Sequence, residues 1–232
     1  MKYLFLFSLL IFATIPLIAQ DITGEELLKK AIEYHDPNGK WGKFMGTLNV
    51  TMEMPDALPR YSTIEIDLPN DYFYLKSKRD TIVTSYNIEK GKCSTSIIDS
   101  TSMSRTPCET AVLYKNYYTY LYGLPMKLKD PGTRIDDKVV FKNFMGKEYL
   151  VMKVTYDESV GSDVWFFYFD PQSYAMEIYQ FYKGDPGGKG KDTGEYILLS
   201  EERIVQGIKM PGVRAWYYNK DDKYLGTDTL KE

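Results

Sequence analysis

The chain has 232 residues, a formal charge of −3 from 29 basic against 32 acidic residues, one histidine and two cysteines. Its lysines and arginines are scattered, so it lacks the electrostatic footprint that a nucleic-acid partner requires. A single histidine with two distant cysteines cannot close a zinc site, and neither a metal nor a cofactor is expected.

The opening segment, MKYLFLFSLLIFATIPLIAQ, has the parts of an export signal. Lys2 supplies the positive end, Leu4 to Phe12 the apolar run, and Ala19 a small residue for cleavage. A membrane span needs about 18 or more uninterrupted apolar residues, and Pro16 breaks this run too early. Residues 1–19 are therefore read as a signal peptide and 20–232 as one domain, with no transmembrane segment after cleavage. The expected location is periplasmic or secreted, with association at an outer membrane left open.

Next comes DITGEELLKKAIEYHDPNGKW. Thr23 and Glu26 form a capping box, Ile22 can staple onto Leu27, and Leu27, Leu28, Ala31 and Ile32 recur at helical spacing. Pro37, Asn38 and Gly39 end this helix. From Phe44 the period drops to two: Phe44, Leu48, Val50, Met52 and Met54 alternate with polar residues, as a strand with one wet face requires. Ile64, Ile66 and Leu68 repeat the pattern, and further strands follow at intervals of about 8 to 12 residues separated by turn chemistry. About eleven antiparallel strands in one large curved sheet are expected, giving an α+β, mainly β fold. The Gly-rich KGDPGGKGKDTG lacks the G-K-[ST] ending of a phosphate loop and reads as a hairpin connection.

Between the two sets of strands lies TPCETAVLYKNYYTYLYGLPMKL, with five tyrosines in nine residues. Thr106, Pro107 and Glu109 start a helix, while Gly123 as a left-handed terminator and Pro125 end it near residue 122. Only Lys115, Asn116 and Thr119 form a polar stripe, so the sheet covers one face and either a loop or a bound molecule must meet the rest. Cys93 and Cys108 stand before and inside this helix. In an oxidising compartment they can pair, closing a loop of about 15 residues worth roughly 3 kcal/mol; two buried thiols are the alternative.

YHDPNGKW, NYYTYLYGLPMKLKDPGT, WFFYFDPQSYA and GIKMPGVRAWYYNKDDKYLGTDTL resemble the signature blocks of an uncharacterised family of exported Gram-negative proteins. More distantly, the N-terminal helix, the many-stranded sheet and the helix inserted midway are similar to the lipoprotein carriers LolA and LolB. That resemblance implies an unclosed half-barrel with a helical lid over an apolar cavity, and a partner that is an apolar small molecule, a lipid or a lipidated protein. Arg60 and Arg79 are not placed on the arginine with which those carriers close their lid.

The expected cavity has walls from Val50, Met52, Ile64, Ile66, Trp165, Phe167 and Trp216 and a lid from Tyr114, Tyr117, Tyr118, Leu121 and Leu124. No catalytic residue is assigned. A hydrolase would need a base oriented by a carboxylate and within reach of a nucleophile. His35 beside Asp36 does not make that arrangement, and His35 reads instead as finishing the first helix through local bonds. The competing readings are an envelope module with a self-filled core and an unrecognised hydrolase centred on His35.

Overall fold

A computed structural model describes residues 22–97 and 105–231; the expected signal peptide lies outside them. Among the described residues two α-helices and twelve strands form in the order α1 (Gly24–His35), β1 (Met45–Met54), β2 (Ala57–Asp67), β3 (Tyr72–Arg79), β4 (Ile82–Glu89), β5 (Lys92–Ile97), α2 (Pro107–Gly123), β6 (Thr133–Phe144), β7 (Lys147–Tyr156), β8 (Val164–Phe169), β9 (Met176–Tyr182), β10 (Glu195–Val205), β11 (Ile208–Tyr218) and β12 (Tyr224–Lys231). All strands join one antiparallel sheet in the order β5-β4-β3-β2-β1-β12-β11-β10-β9-β8-β7-β6, so β12 sits between two consecutive meanders. The sheet is not closed, because β5 and β6 remain at opposite edges. The count is one above the sequence expectation, and β6 begins six residues before Val139 because Thr133–Ile135 already pair with Val154–Tyr156, after which Asp136–Lys138 bulge out of the register before it resumes at Val139.

Local chemistry explains the elements. Both capping boxes form: Thr23 with Glu26 at α1, and Thr106 with Glu109 at α2. Lys90 with Gly91, and Gln206 with Gly207, take positive φ at both central positions, the backbone that tight two-residue hairpins demand. Gly123 departs from expectation. It is the last residue of α2 and is absent from the left-handed region, and it is needed because a Cβ there would stand 2.3 Å from the Trp41 indole. Thr119 is also buried, its hydroxyl satisfied by the Lys115 carbonyl at 2.6 Å, so it leaves the expected wet stripe.

Two apolar clusters fill the concave side. One gathers Leu48, Val50, Ile64, Ile66, Phe73 and Leu75 beneath the first half of α2; the other packs α1 and the end of α2 onto β7, β8, β9 and β10. A third, smaller cluster of Tyr149, Val151, Tyr168 and Ile178 uses the opposite parity, on the other face of β7, β8 and β9.

Cys93, near the start of β5, is bonded to Cys108 in the first turn of α2, with Cα atoms 5.8 Å apart. Replacing both by serine should cost about 3 kcal/mol of unfolding free energy, the loop-closure value for this span. The measurement is the urea midpoint with and without the substitutions; an unchanged midpoint would mean that the bridge constrains nothing the fold does not already fix.

Candidate ligand cavity under the second helix

The inward side chains of β1 trace where the interior stops being full. Leu48 and Val50 are 1 % and 3 % exposed, Met52 is half-buried, and Met54 is 38 % exposed. Beyond Val50 the concave side opens into a cavity of about 480 Å³. Its floor crosses the sheet from Met52 and Met54 on β1, past Gly226 on β12 and Trp216 on β11, to Phe181 on β9 and Trp165 on β8. Its roof is Tyr117, Tyr120 and Leu121 of α2. Gly226 stands opposite Trp216 in the register and adds no side chain to fill the space. Trp165 is held by Phe181 at 4.8 Å and Tyr120 at 5.6 Å between ring centroids, so the far wall is a packed aromatic surface.

Tyr117 is 38 % exposed, yet enclosure by protein pushes its hydroxyl well above the ordinary phenol range. Both statements hold together because the exposed part of the ring faces the cavity it lines. Asp163 and Glu195 border the cavity at its β8 and β10 end, and burial raises both carboxyls, with Lys183 pulling the other way.

Of the residues expected from sequence, Met52, Tyr117, Leu121, Trp165 and Trp216 meet around this one space. Tyr114 lines a separate, smaller cavity described below. Val50, Ile64, Ile66 and Tyr118 belong to the first filled cluster, and Leu124 and Phe167 to the second, so these six support the cavity and are not part of its surface. The reason is depth: mid-strand side chains are packed directly against the helices, and only positions towards the strand ends leave space beneath α2.

Sequence reasoning missed a buried polar cluster beside the floor. Arg214 on β11 is 1 % exposed; its guanidinium stacks on Tyr122 with 4.1 Å from Cζ to the ring centroid, and its Nη2 donates to the Leu121 carbonyl at 3.2 Å. Asp228 on β12 is its direct register partner and is 6 % exposed. Burial raises the Asp228 carboxyl, opposed by Arg214 and Arg60. Arg214 Nε, Asp228 Oδ1, Tyr179 Oη and Trp216 Nε1 are all buried without a hydrogen-bond partner, a concentration unusual for a native interior. The signal was available in strand parity: Met210, Arg214 and Trp216 share the inward face of β11.

His35 lies elsewhere and is occupied. Its Nδ1 contacts the Lys209 carbonyl at 2.9 Å and its Nε2 accepts from the Met176 amide at 2.9 Å, so the ring is the neutral tautomer with its proton on Nδ1. Those partners are 174 and 141 residues away, not local as the sequence suggested. Asp36 accepts from the Lys40 and Trp41 amides at 2.7 and 2.8 Å. A shallow depression of about 180 Å³ beside His35 also contains Ser200 and Glu202, but neither imidazole nitrogen is free to take a proton from a nucleophile in this arrangement. Among the described residues no group of three or more histidine, cysteine or acidic side chains could hold a metal, and no helix is long and apolar enough to cross a membrane.

The chain is similar in fold to a LolA superfamily protein from Nitrosomonas europaea, with a TM-score of 0.52 and 9 % identity over 91 % of this chain and 92 % of that one. A DUF1329 family protein from Desulfovibrio piger ATCC 29098 aligns with a TM-score of 0.45 and 8 % identity over 91 % and 92 %. By sequence the chain belongs to the family of unknown function DUF6503, whose model matches residues 2–232. No curated protein matches it.

Proposed function

We propose that this protein is an exported, non-enzymatic carrier that holds an apolar ligand, namely a lipid, an acyl chain or the acyl group of a lipidated partner, in the cavity beneath α2. The observation that carries the reading is the 480 Å³ space itself, walled by methionine and aromatic side chains beside an otherwise filled core. Ligand sites commonly span about 300 to 1,000 Å³. Each buried methylene is worth about 0.8 kcal/mol, so roughly ten of them supply about 8 kcal/mol before the cost of association is deducted. The Cys93–Cys108 bond is consistent with an oxidising, periplasmic or extracellular setting. The fold likeness to a LolA superfamily protein supports the same reading at the level of architecture.

Native mass spectrometry of protein purified from its own envelope should show a lipid-sized adduct. Nile red should bind the delipidated protein, and Met52→Trp, which places an indole in the space, should weaken that binding about tenfold without lowering the melting temperature. No adduct together with no dye binding would leave the envelope module with a self-filled core as the standing alternative.

A further inference from the structure

A separate cavity of about 200 Å³ lies on β2, β3 and β4 under the start of α2. It is lined by Arg60, Ser77, Arg79, Ile82, Thr84 and Tyr114. Arg60 on β2 and Arg79 on β3 are direct register partners, so two cations face each other across one strand pair. Like charges so placed are destabilising, and among the described residues neither arginine makes an ion pair: the carboxyl that feels Arg60, Asp228, is buried and shared with Arg214. Arg60 Nη2 donates to the Tyr118 hydroxyl at 3.3 Å, and Arg79 Nη2 reaches only the Met54 sulfur at 3.9 Å. Arg60 Nε is buried with no partner at all. Two guanidinium groups with unused donors beside the Ser77, Thr84 and Tyr114 hydroxyls make a receptor for an oxyanion.

The position of this pocket gives it a meaning for the larger cavity. Arg60 pairs with Met52 in the register, and Arg79 touches Met54, so the two methionines that begin the apolar floor also border the arginines. At the opposite end of that floor stand Asp163 and Glu195. Across the sheet, the lining of the two cavities is basic at β2 and β3, apolar across β1, β12 and β11, and acidic at the β8 and β10 end.

Resting on the carrier reading above, we propose that the ligand is an anionic amphiphile. Its carboxylate or phosphate sits between Arg60 and Arg79, its chain crosses Met52 and Trp216 towards Trp165, and the acidic end excludes the reverse orientation.

The test is competition against Nile red with palmitate, with monopalmitoylglycerol, which carries the same chain without a charge, and with inorganic phosphate alone. Palmitate should bind at least about tenfold more tightly than monopalmitoylglycerol. In Arg60→Gln/Arg79→Gln palmitate should fall to the level of the neutral lipid. If the double variant does not fold, Arg79→Gln alone, which loses only the contact to Met54 sulfur, should remove about half of the preference on a logarithmic scale. Equal binding of the two lipids to the wild type, or a preference that survives the substitutions, would overturn the anionic assignment while leaving the carrier reading intact. Phosphate alone occupying the pocket as tightly as palmitate does would overturn it in favour of a free-anion site. Failure of every lipid to displace the dye would remove both readings together.

Discussion

Arg214→Ala should destabilise the protein by about 3 to 5 kcal/mol, the range observed when one member of a buried charged cluster is removed. The guanidinium is the hydrogen-bond donor to the Leu121 carbonyl near the end of α2 and the stacking partner of Tyr122, and its charge offsets that of Asp228. Removing it leaves a buried carbonyl unpaired, a vacancy beneath Tyr122 and a buried carboxyl without its nearest cation on the neighbouring strand. Arg214→Met, which restores volume but not charge, should recover part of the loss. Urea denaturation of the three proteins measures the differences, and hydrogen exchange at Leu121 and Tyr122 should quicken in both variants if the arginine anchors the helix. A loss below about 1 kcal/mol for the alanine variant would show that the cluster is not held through this residue.

His35→Ala should cost about 3 kcal/mol, because it strands a part-buried carbonyl at Lys209 and a buried amide at Met176, unpaired groups that cost about 1 to 3 kcal/mol each. Burial lowers the folded imidazole's pKa below the ordinary 6.5. Between the folded value and 6.5 the unfolded chain therefore binds more protons, so this contribution is complete above about pH 6.5 and shrinks as the pH falls through that window. The raised carboxyls of Asp163, Glu195 and Asp228 act in the opposite sense, since there the folded state binds the extra proton. Comparison with His35→Gln isolates the imidazole: the pH-dependent difference in unfolding free energy between the two proteins should narrow from pH 8 to pH 5. A constant difference would mean that the ring is not held neutral.

How much of this was legible beforehand depends on the range of the interaction. Capping boxes, hairpin glycines and the period-two runs act within a few residues, so Thr23, Thr106, Gly91 and the alternation through Leu48, Val50 and Met52 were readable. The disulfide was readable because two cysteines allow only one pairing. The role of Gly123 was not, because it depends on Trp41, which is distant in sequence and adjacent only in the fold. The same holds for His35, whose two partners come from β11 and β9. Within the site, parity identified which residues face inward but not how far along each strand the filling extends. That is why Ile64 and Phe167 lie in packed core while Trp216 and Trp165 reach open space. Arg214 and Asp228 were passed over because a charged residue in a strand is ordinarily read as outward-facing, although their parity already placed them inside.

The place of β12 in the sheet bears on how the molecule comes together. Strands β1 to β5 form one ribbon of neighbouring hairpins and β6 to β11 another, each assembled from contacts close in sequence. Within the sheet only residues 224–231 join the two ribbons, and Val50 must wait for Leu230 before that side of its ladder exists. Arg214 with Asp228, and the floor of the cavity, straddle this seam, so the cavity is complete only once this last strand has paired with both β1 and β11.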